Sequence, residues 1–252
     1  MKPNKNVVAI IVARMGSSRF PGKSLSKVGE KTMLGYIVDK LLNCQEVSDV
    51  VVSTSTSDKD DAINQWCDIN NIKCFRGSED DVLQRIYDTC KSNNIENGML
   101  ILGDNPLVDS EIVEESVRLF QANEFDFITT YSEEYKSKSD STKYFPVGIR
   151  VQIFTFESLV RVQELATDLS HREHSTSFYI DNLNLFKCKF LEPVESLDKF
   201  KLSGYNFAVN TEQQFNIISE FISISRINGE SDLLKAILCV KSSPNKYSAI
   251  QL

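Results

Sequence analysis

Arg14, Arg19 and Lys23 stand within ten residues of one another, interleaved with Gly16, Ser17, Ser18 and Gly22. Guanidinium and ammonium groups neutralise negative charge, hydroxyls and backbone N–H groups donate, and glycines let the main chain come close. The set reads as an anion cradle, although a solvated basic turn has the same composition, and placement separates the two. The loop leaves the apolar run Val7–Val12 at its carboxyl end, which is where open α/β sheets bind their ligands. Two familiar phosphate loops are excluded by spacing. No G-x-G-x-x-G occurs, and in G-x-x-x-x-G-K-[ST] four residues separate the glycines, whereas five separate Gly16 from Gly22. Pro21 falls where that loop needs its second glycine; it stiffens the bend and lacks an N–H.

Asp104 follows the apolar run Met99–Leu102, again at the carboxyl end of a strand-like segment. Mg²⁺ takes one or two carboxylates and completes its octahedron with phosphate oxygens and water, so Asp104 is a metal-ligand candidate; an Asp opening the turn before Pro106 looks the same. Arg85 lies in a helical stretch and is either an ion-paired side chain or a ligand contact. His171 and His174, with Glu173 between Arg172 and His174, form a thin donor set for a metal. A capped helix start with local ion pairs is the alternative.

To bring these residues together, the chain must gather strand ends at one edge of a sheet. Val7–Val12 is a continuous apolar run of the kind buried on both faces of a parallel sheet. A helix is predicted over 32–42, a strand over 49–53, a helix near 59–69, a strand over 73–75, a helix near 80–92 and a strand over 98–102. A helix over 110–121 and a strand over 126–130 follow. This alternation implies an α/β fold with a mostly parallel central sheet and helices on both faces. The second half is less regular: a polar excursion over 131–144, strands over 147–154, 185–190 and 206–209, and helices near 157–165, 173–180 and 212–224. One domain over 1–252 is expected.

Hydrophobic residues make up 41% of the 252 and charged residues 25%, a normal globular balance that argues against disorder. A net charge of −7 argues against a nucleic-acid adaptor, because nonspecific binding there rests on Lys and Arg meeting phosphates. The six cysteines contain no C-x-x-C pair and read as buried thiols in a reducing compartment. Val7–Ala13 is too short for a signal-peptide core with its flanks, and no run approaches the roughly 18 apolar residues that span a bilayer. A cytoplasmic protein is expected.

The run Ile11-Val12-Ala13-Arg14-Met15-Gly16-Ser17-Ser18-Arg19-Phe20-Pro21-Gly22-Lys23 resembles the signature of the cytidylyltransferases of spore-coat polysaccharide, acylneuraminate and 3-deoxy-manno-octulosonate type, the first above all. The likeness continues through Ser53-Thr54-Ser55, Phe75-Arg76-Gly77-Ser78, Asp81-Val82-Leu83-Gln84-Arg85, Gly103-Asp104-Asn105-Pro106-Leu107 and Arg172-Glu173-His174-Ser175-Thr176. The resemblance implies a Rossmann-like nucleotidyltransferase fold and a CTP- and Mg²⁺-dependent transfer of CMP to a small acidic acceptor, with release of pyrophosphate. It implies catalytic roles for Arg14, Arg19, Lys23 and Asp104, and nucleotide contacts from Ala13, Arg14, Gly16, Ser17, Ser55, Arg76, Gln84 and Arg85. By the same resemblance Arg172, His174 and Gln152 are assigned to the acceptor and Asp104 and Asn210 to the metal, and the enzyme is expected to be a homodimer, with about 131–190 serving acceptor binding and dimerisation.

Three positions depart from the family pattern: Val147 where an Asp is usual, Gln152 where a Glu is usual, and Asn210 where a late Asp is usual. Each removes a carboxylate, and an amide oxygen is a weaker ligand for Mg²⁺. Two alternatives stay open beside the sugar-acid acceptor: a phosphate or phosphonate acceptor giving a CDP-linked product, and a non-catalytic nucleotide-binding relative.

Overall fold

The computed structural model describes residues 6–138, 143–228 and 231–252. Residues 139–142 of the predicted excursion and the first residues of the chain lie outside the described residues.

The strands are β1 (Val7–Val12), β2 (Lys27–Val28), β3 (Lys31–Thr32), β4 (Val47–Ser55), β5 (Lys73–Gly77), β6 (Asn97–Leu102), β7 (Phe127–Thr130), β8 (Gln152–Thr155) and β9 (Cys188–Leu191). The helices are α1 (Met33–Leu42), α2 (Asp61–Ile69), α3 (Val82–Ser92), α4 (Ser110–Ala122), α5 (Phe156–Leu165), α6 (Leu169–Glu173), α7 (Ser177–Asp181), α8 (Glu212–Asn228) and α9 (Asp232–Ser242). Seven strands form one sheet in the order β5-β4-β1-β6-β8-β7-β9. β5, β4, β1 and β6 are parallel neighbours, β8 runs antiparallel to both β6 and β7, and β9 is parallel to β7. The sheet is thus mostly parallel, as expected, with helices on both faces.

β1 shows why its sequence is apolar at every position. Val7, Ala9 and Ile11 enter one buried cluster, with α1, α4, α8 and α9, while Ile10 enters the other, with Leu83 of α3, Leu159 of α5 and Tyr179 of α7. A strand with period-2 side chains that is covered on both faces needs hydrophobes throughout. The helices have their own start signals: Thr32, Asp81, Asp109, Thr155, Asp168 and Ser231 each accept a backbone N–H from the first turn of α1, α3, α4, α5, α6 and α9.

Several boundaries differ from the sequence expectation. The strand predicted over 147–154 is only four residues long, because Gly148 (φ 89°) bends the chain so closely against 207–208 that a Cβ there would stand 2.3 Å from the Ala208 nitrogen. The preceding strap is held by Val147, whose N–H donates to Tyr205 O and whose carbonyl accepts from Phe207. The strand predicted over 206–209 is likewise an isolated bridge. The helix predicted near 173–180 is two short ones, broken between Glu173 and Ser177. α9 was not expected, although Leu233, Leu234, Ile237 and Val240 repeat at helical spacing behind the Ser231 cap. The cysteines are free, three of them buried and three half-buried. Among the described residues no helix is long and apolar enough to cross a membrane.

Candidate active site

The basic loop begins where β1 ends, at the sheet edge shared with β4 and β6. The Ala13 N–H donates to Ser53 O (3.2 Å) and the Gly103 N–H to Val12 O (2.8 Å). Gly103 permits this approach: a Cβ there would sit 2.9 Å from both Val12 O and the Ala13 Cβ. Inside the loop Met15 O accepts from Ser17 N (2.9 Å) and Gly22 N (3.0 Å). Gly22, at φ 76°, opens a single 3-10 turn, Lys23–Leu25, and Ser24 Oγ donates back to Arg14 O.

An unforeseen residue anchors this loop. Asp60 is 2% exposed; its Oδ1 accepts from Met15 N (2.7 Å), and its Oδ2 from Ser55 N (3.1 Å) and Ser55 Oγ (2.5 Å). Burial works against its charge, but these hydrogen bonds outweigh burial and hold the carboxyl below its ordinary range. One carboxylate therefore ties the loop after β1 to the end of β4. Nothing in the cluster Asp58-Lys59-Asp60-Asp61 distinguishes Asp60 by sequence.

Lys23 joins three distant segments. Its Nζ donates to Asp104 Oδ2 (2.8 Å) and Val209 O (2.7 Å), while Val209 N donates to Asp104 O (2.8 Å). Asp104 Oδ1 is buried and has no hydrogen-bond partner among the described residues. These groups open on a cleft of about 300 Å³. Ala13, Arg14, Ser17, Arg19, Lys23 and Asp104 line it, and Arg85, His174 and Asn210 complete its walls. Nine of the sequence-predicted site residues thus converge on one cavity at the carboxyl ends of β1 and β6, where charge neutralisation of a polyanion is what the wall offers.

A cytidylyltransferase family model matches residues 8–237. The chain belongs to the cytidylyltransferase family. It is accordingly a nucleotidyltransferase enzyme. An uncharacterised protein of Methanocaldococcus jannaschii is 33% identical over 214 residues, which cover 85% of this chain and 82% of that protein. The spore coat polysaccharide biosynthesis protein SpsF of Bacillus subtilis is 25% identical over 220 residues, with 84% and 85% covered. A solved cytidylyltransferase from Leptospira borgpetersenii superposes with a TM-score of 0.81 at 29% identity, over 98% of this chain and 97% of that one.

In this cytidylyltransferase, Arg85 is 1% exposed. Its Nη1 donates to Ser78 O (2.5 Å), while its Nε is buried without a partner. Burial lowers its pKa, Asp60 opposes that, and Arg14 adds to it. Two guanidinium groups held close enough to repel are a favourable place for an anion.

Six predicted site residues do not line the cleft. Gly16 has ordinary room for a Cβ, and Ser55 is committed to Asp60. Arg76 braces the turn between β4 and α2, donating to Ser55 O and Ser57 O (both 3.0 Å) and pairing with Asp61 (2.6 Å). Gln84 bonds to Asp88 and to Gln163 of α5. Arg172 places Nε and Nη2 on Asp81 Oδ2 (2.9 and 2.5 Å) and Nη1 on Gln163 Oε1 (2.9 Å), pinning α6 to the start of α3. Gln152 is buried, accepting from Thr176 Oγ1 (3.0 Å) and donating to the Tyr135 hydroxyl (3.4 Å). All but Gly16 hold together the elements that frame the cleft.

Among the described residues no three His, Cys, Asp or Glu side chains converge as a metal cluster. A divalent cation here would rely on Asp104, the Asn210 amide oxygen and oxygens brought by the substrate, as Mg²⁺ commonly does. The orphaned Asp104 Oδ1 fits that role: a buried carboxylate oxygen without a donor is costly unless something positive meets it.

Proposed function

We propose that this enzyme uses CTP with Mg²⁺ and transfers CMP to a small acidic acceptor, a sugar acid or surface-polysaccharide precursor, releasing pyrophosphate. The observation that carries the reading is the convergence of Arg14, Arg19, Lys23, Asp104 and Asn210 on one cleft in a chain of this family. The Bacillus subtilis relative, named for spore coat polysaccharide biosynthesis, supports an acceptor of that kind.

In the reaction an acceptor oxygen attacks the α-phosphorus, the bond to the α,β-bridging oxygen breaks, and pyrophosphate leaves with that electron pair. No covalent enzyme intermediate is needed; positioning and charge neutralisation carry such transfers. Arg14 and Arg19 hold the triphosphate and offset charge on the departing pyrophosphate, with Ser17 donating hydrogen bonds. Arg85 supplies a further cation from the α3 wall. Lys23 fixes Asp104 through Oδ2 and leaves Oδ1 as the ligand oxygen. Mg²⁺, when bound, supplies Lewis acidity at the phosphate oxygens.

Pyrophosphate release is measured with CTP, UTP, ATP and GTP against a panel of sugar acids. Release is expected with CTP and Mg²⁺ alone among the nucleotides, and Arg19→Ala/Lys23→Ala is expected to reduce it by about 10²-fold or more, the scale of losing transition-state charge contacts. Undiminished release in that double variant would refute the reading.

The missing carboxylates at Val147, Gln152 and Asn210 favour a second reading, transfer to a phosphate or phosphonate acceptor. Phosphorus NMR separates the CDP-linked product from a CMP-sugar. The chain is further read as one nucleotidyltransferase domain that works in the cytoplasm as a homodimer through residues of about 131–190. Leu165, Leu169, Leu183 and Leu185, all well exposed, support that face, and light scattering checks it.

A further inference from the structure

Arg150 is a charged residue that none of the roles above employs. β8 runs antiparallel to β6 with Gln152 opposite Leu100, so two residues earlier the chain comes level with the carboxyl end of β6, where Asp104 sits. Arg150 is half-buried there. Its Nη2 pairs with Glu134 Oε1 (2.6 Å), its guanidinium carbon lies 5.9 Å from the centre of the Tyr135 ring, and its Nε is buried without a partner. Burial opposes its charge, yet Tyr135, Glu134 and Asp104 together keep it firmly protonated. Asp104 is thus one of the charges that act on Arg150, while the cations that line the cleft itself are Arg14, Arg19, Lys23 and Arg85.

The surroundings connect Arg150 to the cleft wall opposite that loop. Gln152, two residues on at the start of β8, meets the same Tyr135, donating to its hydroxyl, and also accepts from Thr176 Oγ1. Thr176 belongs to the turn that follows His174, which lines the cleft. Four cationic residues, Arg14, Arg19, Lys23 and Arg85, already line the cleft itself, so a triphosphate has partners without Arg150. Glu134 is exposed and occupies one nitrogen of the guanidinium. An incoming oxyanion can displace it and meet the planar fork in two-toothed fashion, as Arg does with carboxylates and phosphates.

We propose that Arg150 is the specificity-determining cation of the acceptor subsite, where it receives an oxyanion of the acceptor, carboxylate or phosphate. The inference rests on the cytidylyltransferase reading above and adds the acceptor's charge and the residue that reads it. A neutral sugar leaves Arg150 on Glu134 and gains nothing from it, so the selection is for charge.

The test follows the Arg150 Nε–H resonance in ¹⁵N-labelled protein, assigned by its loss in Arg150→Lys, with a non-hydrolysable CTP analogue and Mg²⁺ present. Glucuronate, glucose 1-phosphate and glucose are the probes. Glucuronate or glucose 1-phosphate is expected to shift the resonance saturably, and Arg150→Gln to weaken that ligand by about tenfold or more while CTP-analogue affinity stays within about twofold. Which of the two anions binds distinguishes a carboxylate from a phosphate acceptor. Glucose is expected to leave the resonance in place. Anions that leave the Nε–H unmoved, or that bind Arg150→Gln equally well, overturn the proposal. Failure of the CTP analogue to bind wild-type protein would instead strike the nucleotide assignment, and Arg150-dependent anion binding would still stand.

Discussion

Replacing Asp60 by Asn removes one charge and one acceptor from the joint that fixes the nucleotide loop. Asp60 accepts from Met15 N on Oδ1 and from Ser55 N and Oγ on Oδ2. An amide has one oxygen. If it stays on the Ser55 side, the Met15 N–H faces an NH₂ group and is left without an acceptor, at about 1–3 kcal/mol; the two remaining bonds fall from charged to neutral strength, about 1 kcal/mol each. The total is about 3–5 kcal/mol, and at 2–4 °C per kcal/mol for a chain of this size the Tm should fall by about 6–20 °C at pH 7. The pH dependence gives a second check. The donors from Met15 and Ser55 hold the Asp60 carboxyl below its ordinary value of 3.8, so its contribution is fully present above 3.8 and is lost as pH falls through the lower folded value. Calorimetry from pH 7 down to about 2.5 should therefore show a constant gap between wild type and Asp60→Asn that narrows only below about pH 4. A gap under about 1 kcal/mol at pH 7, or one that closes near neutrality, would refute the assignment of Asp60 as an ionised anchor.

Other perturbations address the rest of the frame. Asn210→Asp adds a carboxylate beside Asp104 and is expected to lower the Mg²⁺ concentration for half-maximal pyrophosphate release by about tenfold, read from a metal titration at fixed CTP. Gly148→Ala drives a Cβ to within 2.3 Å of the Ala208 nitrogen at φ 89° and should cost about 3 kcal/mol, seen as a Tm drop of roughly 6–12 °C; an unchanged Tm would mean that the strap does not press on 207–208. Arg172→Ala frees Asp81 and Gln163 and is expected to cost about 1–3 kcal/mol in denaturant unfolding, with Arg172→Lys unable to restore the two contacts to Asp81.

How much of this was legible in the sequence depends on whether a residue's neighbours are local. The parallel half of the sheet could be read because β1, β4 and β6 are continuous apolar runs and α1, α3 and α4 show helical spacing; each signal is contained in its own segment. The cradle could be read for the same reason, its cations and glycines lying in one loop. Sequence spacing did not reveal which of the polar and charged side chains face the cleft. Arg172 and Gln84 carry the residue types of a binding site, yet their partners Asp81 and Gln163 come from segments remote in the chain. Asp60 was invisible for the converse reason: its polar neighbours Met15 and Ser55 are backbone and hydroxyl donors with no sequence mark. The strap over 147–151 was misread as strand because Gly148 looks like any glycine until its contact with Ala208 is seen.

The Lys23 ion pair also bears on how the metal side of the site is arranged. Among the described residues the cleft is lined by two carboxylates, Asp104 and Glu173; Lys23 consumes one oxygen of Asp104 and places a positive charge 2.8 Å away, while the Asn210 side chain brings no charge. A divalent ion approaching without substrate would meet a carboxylate already half neutralised and a nearby ammonium that repels it, and hard cations need more oxygen ligands than this pair provides. Phosphate oxygens change that balance, because they supply both ligands and negative charge, and they give Lys23 an alternative partner. On the proposed reading the cation is therefore held jointly by Asp104 and the triphosphate, and nucleotide and metal affinities are coupled through Lys23. The loss of the late carboxylate at position 210 then weakens the free-metal site while leaving the substrate-bound one in place, which reconciles a missing ligand with a retained catalytic frame.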